Sequence, residues 1–358
     1  TVPTSQLQQG WMNTSAFSVI DVDKQEFLGA IVVDEPERGA AGIWSIACND
    51  ESVFISHSGT HEVSVIDHKA MLEKFLNYPN KAVLDYDLTF LYGLRERIPL
   101  EGNGPRNMIL NGDKLIIPTY FADILNIMDI NTNEVTSVEL NPGREETAEN
   151  KGERYFNDAS HCFQNWQSCN GCHPGDARTD GMNWDLMNDG VGNSKNCKSM
   201  LFSHMTPPNM ISGIREHAER AVRAGFNFIQ FFEVSEEDAA CVDAYLKSLR
   251  PVPSPYLVNG ELSDLAKEGQ KVFEKLKCGE CHSGVYYTDM KYHRIGEDIE
   301  FEKGWDTPTL REVWRTAPYL FDGRAATMKE VFSVHKHGIE KKVSEKDIEA
   351  LTEYVNSL

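Results

Sequence analysis

Cys169-Asn170-Gly171-Cys172-His173 recurs further along the chain as Cys278-Gly279-Glu280-Cys281-His282. Each stretch is a C-x-x-C-H pattern. Two thiols at this spacing can form thioethers to the two vinyl groups of one porphyrin, and the histidine that follows is then held under the iron as its proximal ligand. Zinc or a redox dithiol would be served by the cysteines alone and needs no histidine directly after the second. The repetition of all three residue types therefore points to two covalently attached haem c groups.

The flanks repeat as well. Thr179-Asp180 stands to the first histidine as Thr288-Asp289 stands to the second, and Tyr245 to Leu249 matches Tyr354 to Leu358, all at an offset of 109. Thr206-Pro207-Pro208 and Gly213 match Thr316-Ala317-Pro318 and Gly323 at an offset of 110. Upstream, Gly152-Glu153-Arg154-Tyr155-Phe156 matches Gly269-Gln270-Lys271-Val272-Phe273 as the helix entering each motif. One haem-binding domain is thus present twice.

Composition limits what the rest can be. The chain has 358 residues, 41% of them hydrophobic, enough for two or three cored domains. Its formal net charge of -20, from 55 acidic and 35 basic residues, argues against nucleic acid or anionic membrane surfaces as partners. No apolar run has the length of a membrane span. Thr1-Val2-Pro3 opens the sequence without a basic or apolar leader, which reads as a mature or trimmed chain. Haem attachment of this kind is completed outside the cytoplasm, so a periplasmic or extracellular location is expected. Cys48, Cys162, Cys197 and Cys241 could be oxidised there or remain buried thiols; the sequence does not pair them.

Residues 1–145 follow a different pattern, with short alternating runs and turn residues. Ser18-Val19-Ile20-Asp21, Ser64-Val65-Ile66-Asp67 and Asn126-Ile127-Met128-Asp129 each end such a run. Around the insertion from Leu76 to Gly104, the second and third units align at an offset of 62. They resemble blades of YVTN-type β-propellers. About three blades cannot close a ring, which needs roughly four to eight, so further blades are expected from another chain or a removed segment; a small β-sandwich is the alternative. After Asn141-Pro142-Gly143 the period becomes helical, with helices expected over 152–159, 214–224, 236–249, 265–276, 327–335 and 344–358. The prolines at 251, 253 and 255 break the two copies apart. The expected organisation is multidomain: an all-β partial propeller over 1–145, then mainly α cytochrome c domains over 146–254 and 255–358.

The paired motifs, the Thr-Asp pairs, Thr307-Pro308-Thr309-Leu310 and Ala317-Pro318-Tyr319-Leu320-Phe321-Asp322-Gly323-Arg324 resemble the dihaem bacterial cytochrome c peroxidase and MauG superfamily over about residues 150–358. The blades in front are similar to those of propeller fusions in that superfamily. The resemblance implies an oxidoreductase that reduces or uses hydrogen peroxide, with an open haem on His173 and a six-coordinate relay haem on His282. It also implies an electron-donor protein, a small cytochrome or cupredoxin, and leaves a Ca²⁺ between the haem domains open. A non-enzymatic electron-transfer or redox-sensing module is the alternative.

Departures from the family pattern bear on the site. Met210-Ile211-Ser212-Gly213-Ile214-Arg215 replaces the family's Phe-Trp-Asp-Gly-Arg, so the bridging tryptophan is absent there; Trp166, Trp184, Trp305 and Trp314 are the other candidates. The family's distal Gln and Glu do not align, and Gln230 and Glu233, with Arg215, are the nearest candidates for acid-base chemistry. His335 falls where the family places the second haem's sixth ligand, with His337 as its rival; subtracting the repeat offset gives Phe226 or Gly225, neither a ligand. His204, Met205 or Met210 could close the first haem instead.

Overall fold

The computed structural model describes residues 11–184, 195–295, 302–339 and 341–358. Contacts group the chain into two compact units: Thr1–Gly171 with Phe226–Cys241, and Cys172–Gly225 with Val242–Leu358.

In the first unit, β1 (Ala16–Asp21) and β2 (Glu26–Val32) form a hairpin. An antiparallel meander follows, of β3 (Ile43–Cys48), β4 (Ser52–His57), β5 (Glu62–Asp67) and β6 (Arg95–Pro99). A second contains β7 (Ile109–Asn111), β8 (Lys114–Thr119), β9 (Ile124–Asp129) and β10 (Val135–Glu139). The repeated Ser/Asn-to-Asp tetrapeptides close β1, β5 and β9, so the hairpin corresponds to the last two strands of each meander. Among the described residues these sheets close no ring or barrel, so the expected propeller appears only as two four-stranded meanders and a hairpin. The insertion falls between β5 and β6 and starts with α1 (His68–Leu76), whose Asp67 cap accepts from Ala70 N and whose Met71 and Phe75 are buried. Within the stretch read from the sequence as an insertion, 76–104, residues Arg95–Pro99 form β6 of the meander.

The interior of this unit holds charge as well as apolar side chains. Ile55, Ile66 and Phe75 belong to one core cluster, and Phe54, Leu115 and Met128 to another. Between strands, Glu62 is bound by Arg97 and by Arg38 at 3.0 Å, while Glu35 takes Arg97 at 3.2 Å and Arg95. Buried His57 donates from Nδ1 to the Ala40 carbonyl at 3.0 Å and accepts from Ser64 Oγ at 2.8 Å; burial pushes it down to about 4, so it stays neutral.

The helix α2 (Ala148–Asn157), capped by Thr147, and the loop after it belong to this same unit. Gly39 N donates to the Gln164 carbonyl at 2.7 Å, Ala159 N to the Gly59 carbonyl at 2.8 Å, and Trp11 Nε1 to Gln164 Oε1 at 2.8 Å. A side chain on Gly39 would meet backbone of Asn165 and Trp166 at 2.4 Å, so the close approach needs glycine. The compact grouping therefore runs past residue 145, where composition alone had placed a boundary.

In the second unit the duplication is visible as geometry. Asn183–Trp184 pairs with Lys195–Asn196, and Tyr292–His293 pairs with Trp305–Asp306. Isolated bridges join Asn209 to Arg215 and Tyr319 to Ala325. Helices α3 (Ala218–Phe228) and α4 (Glu236–Ser248) close the first copy; α5 (Asp264–Lys275), α6 (Met328–Ser333) and α7 (Glu345–Asn356) build the second. Ser263, Thr327 and Ser344 cap the last three by accepting from the third residue on. Phe273, Met328, Phe332, Leu351 and Tyr354 form their shared core.

Candidate functional site

Each haem-motif histidine is held by the chain just after it. His282 Nδ1 lies 3.1 Å from the Tyr287 carbonyl, and His173 Nδ1 lies 3.1 Å from the Arg178 carbonyl. A carbonyl can only accept, so Nδ1 carries the proton and Nε2 is left with its lone pair for a metal, the tautomer an axial ligand requires. The Thr-Asp pairs support the same loops. Thr179 Oγ1 donates to the Cys197 carbonyl at 2.7 Å and Thr288 Oγ1 to the Thr307 carbonyl at 2.6 Å. Asp180 accepts from Trp184 Nε1 at 3.0 Å, and Asp289 contacts His293 Nε2 at 2.7 Å.

A cavity of about 320 Å³ in the second copy is lined by Cys278, Cys281, His282, Trp305, Phe332 and His337. His282 and His337 face each other there with ring centres 6.3 Å apart. Imidazole nitrogens bind first-row metals at about 2 Å, with the ring centre roughly 1 Å further back, so two imidazoles on opposite sides of one metal sit about 6 Å apart. The spacing, the two thiols and the apolar walls fit a c-type haem. Burial and then the neighbouring His282 push His337 down to about 4, leaving it neutral. Burial likewise lowers His282, opposed by the carbonyls of Tyr287 and Pro308. Burial pushes the Cys278 thiol up to about 11.

His335 does not line this cavity; His337, its rival in the sequence, does. The reason is local: α6 ends at Ser333 and the chain turns, His335 N donating to the Glu330 carbonyl and His337 N to the Val331 carbonyl.

At the first motif, Cys169 belongs to the first unit, and Cys172 and His173 to the second. Cys169 Sγ donates to Gln230 Oε1 at 3.2 Å, and burial pushes this thiol up to about 12. Gln230 is only 2% exposed, and its Nε2 donates to the His161 carbonyl at 3.0 Å. Both ends of the amide are thus committed to holding the loop of the motif. Glu233 is exposed, and Arg215 bridges to Asn209 through its backbone.

His204 is tied by Nε2 to Asp243 at 3.0 Å, which also holds Arg223. Met205 and Met210 are half-buried. Of the tryptophans, Trp166 stacks on Trp11 and Trp305 on Phe321, the latter with centres 4.2 Å apart. No motif marks Cys197, yet it stands beside the first C-x-x-C-H, where its Sγ lies 3.6 Å from His173 Nδ1 and donates to the Cys172 carbonyl at 3.2 Å. No disulfide joins any of the eight cysteines, all of which are among the described residues. Among the described residues no helix is long and apolar enough to cross a membrane.

No family model matches the chain. It is similar to hydrazine synthase subunit gamma of Kuenenia stuttgartiensis, 27% identical over 272 residues, covering 58% of this chain and 76% of that protein. Among solved structures, xenon-pressurised Kuenenia stuttgartiensis hydrazine synthase matches with TM-score 0.54 and 23% identity, over 61% of this chain and 89% of that one. A MauG-like protein associated with microbial copper homeostasis matches with TM-score 0.50 and 19% identity, over 62% and 91%. At these identities the two structures speak for fold alone.

Proposed function

We propose that the chain is a dihaem c-type oxidoreductase. One haem is attached at Cys169 and Cys172 on His173 with its other iron face open, and one at Cys278 and Cys281 is ligated by His282 and His337. The facing pair His282 and His337 carries this reading. Counting back by the repeat offset from 337 reaches Asn227 or Phe228, both exposed and neither a ligand for haem iron. When bound, the haems supply one-electron chemistry and, at the open iron, a place for a small inorganic substrate. The protein's own part is to fix the imidazole tautomers through the Arg178 and Tyr287 carbonyls and to keep water from the second site with Trp305, Phe321 and Phe332.

The relative's name makes it a subunit of a hydrazine synthase, and this chain is read as a redox subunit of a comparable periplasmic or extracellular assembly. Unclosed sheets with Trp44 46% exposed and Ile46 55% exposed on β3 are consistent with further blades from another chain. Peroxide reduction, fed by a small cytochrome or cupredoxin, is the narrower reading; with Gln230 committed to Cys169, its acid-base group would have to come from elsewhere. An interdomain Ca²⁺ has no support from the described residues.

Native protein should give two haems per chain by pyridine haemochrome titration, and a ferric spectrum with one high-spin and one low-spin haem. Turnover of hydrogen peroxide with a reduced cytochrome separates the peroxidase from the assembly subunit. A single haem, or zinc in its place, would overturn the reading.

A further inference from the structure

Arg178 does more than lend a carbonyl to His173. Its guanidinium, on a residue 4% exposed, donates from Nε to Glu312 Oε2 at 2.7 Å and from Nη2 to Glu312 Oε1 at 3.0 Å, a bidentate pair. Nη2 also reaches the Arg250 carbonyl at 3.0 Å, and Nη1 the Asp176 carbonyl. Glu312 is 1% exposed, further accepts from the Val252 amide, and forms an ion pair with Arg315, whose Nε lies 3.0 Å away. Leu310, Arg311 and Val313 on either side of Glu312 line the cavity of the second copy. The ligand of the first haem is thus joined to the wall of the second through this buried side-chain pair, and also by Cys197, which lies beside His173 and lines the same cavity.

The other copy does not repeat this. At the repeat offsets Tyr287 replaces Arg178 and Phe202 replaces Glu312, Phe202 and Glu312 sharing left-handed backbone with φ of 62° and 56°. Phe202 packs on Tyr286 with ring centres 4.9 Å apart, an aromatic contact where its counterpart is ionic. A buried ion pair is costly to desolvate and apolar side chains would serve packing as well, so the charge on one side only calls for a role that packing does not supply.

We infer that Arg178 and Glu312 form a positioning strut by which the second cytochrome copy sets the hydrogen bond on His173, and with it the reduction potential of the first haem. This rests on the haem reading above. A firm acceptor at Nδ1 makes the imidazole a stronger donor and favours the oxidised iron. Removing the carboxylate would act twice in one direction. The freed guanidinium would pull the Arg178 carbonyl away from Nδ1, and an uncompensated positive charge near the iron would favour the reduced form.

Glu312→Gln should therefore raise the first haem's potential in a spectroelectrochemical titration and leave the second nearly unchanged. It should also lower the iron-histidine stretching frequency of the ferrous five-coordinate haem in resonance Raman, which a merely structural role would not move. Glu312→Asp should recover most of the shift. Should Glu312→Gln fold poorly, the double variant Arg178→Gln/Glu312→Gln removes the buried guanidinium and leaves only the partly exposed Arg315 without its carboxylate; its first-haem potential should still lie above wild type, with the second nearly unchanged. Equal shifts in both haems, or none in either variant, would overturn the strut; a haem count below two would instead overturn the reading beneath it.

Discussion

In the proposed ligation, His337 is the residue on which the two C-x-x-C-H copies differ most. With His282 it spans 6.3 Å between ring centres inside an apolar cavity, while His335, two residues earlier, lies outside the lining. His337→Gly should convert the second haem from low to high spin in the ferric absorption and electron paramagnetic resonance spectra. His335→Gly should leave both spectra as they are, and a spin change there instead would restore the earlier residue to the site. Copy-to-copy counting reaches the stretch that holds both histidines; which of them faces the cavity depends on the turn that ends α6. Gln230 was misleading for a related reason. Its nearness to Glu233 suggested a pair, but burial alternates over 230–233 and separates a buried amide from an exposed carboxylate.

Glu62 shows the same sensitivity to a single group within the sheets. Burial alone would raise its carboxyl, but the hydrogen bond and charge of Arg97 outweigh this and hold it below the usual carboxylate range. A depressed folded value stabilises the fold only where the unfolded glutamate is ionised, above roughly pH 5, and that contribution is lost as pH falls through the folded value. Glu62→Gln should cost roughly 1.5–3 kcal/mol by weakening the charge-assisted hydrogen bonds from Arg97, which keeps Glu35 as an ionic partner. It should also flatten the acid limb of a plot of melting temperature against pH; an unchanged limb would assign the acid sensitivity elsewhere.

At the scale of elements, the second cytochrome copy depends on how closely α5 and α7 cross. A Cβ on Gly269 would stand 1.8 Å from the Ala350 carbonyl oxygen and 2.7 Å from the Tyr354 side chain. Gly269→Ala must push the helices apart, an overpacking cost of about 1–3 kcal/mol or more. Phe273 and Val355 on the same helices line the cavity, so haem incorporation at the second motif should fall with stability. Full incorporation with unchanged melting would show that the crossing tolerates a methyl group. These helices were legible beforehand because Ser263 and Ser344 cap them and their apolar period is regular. The start of α3 was less so: helical residues were expected from Ile214, but the bridge between Asn209 and Arg215 holds that stretch as a turn and the helix starts at Ala218. The β strands were visible as alternation, yet strand pairing depends on distant residues, and the first unit's reach to Gly171 depends on single contacts such as Gly39 with Gln164.

For the whole molecule, the open question is what else the sheets meet. Native mass analysis of protein taken from its source should find this chain with another polypeptide, released by conditions that leave the haems attached; a lone, stable monomer would refute the subunit reading. The asymmetry between the two copies also bears on exchanging the halves. Arg178 pairs with Glu312, and Phe202 packs on Tyr286. A tandem of two first halves would set a buried guanidinium against a phenyl ring, and a tandem of two second halves would set a buried carboxylate against a tyrosine. Each such tandem would leave a buried charge without its present partner.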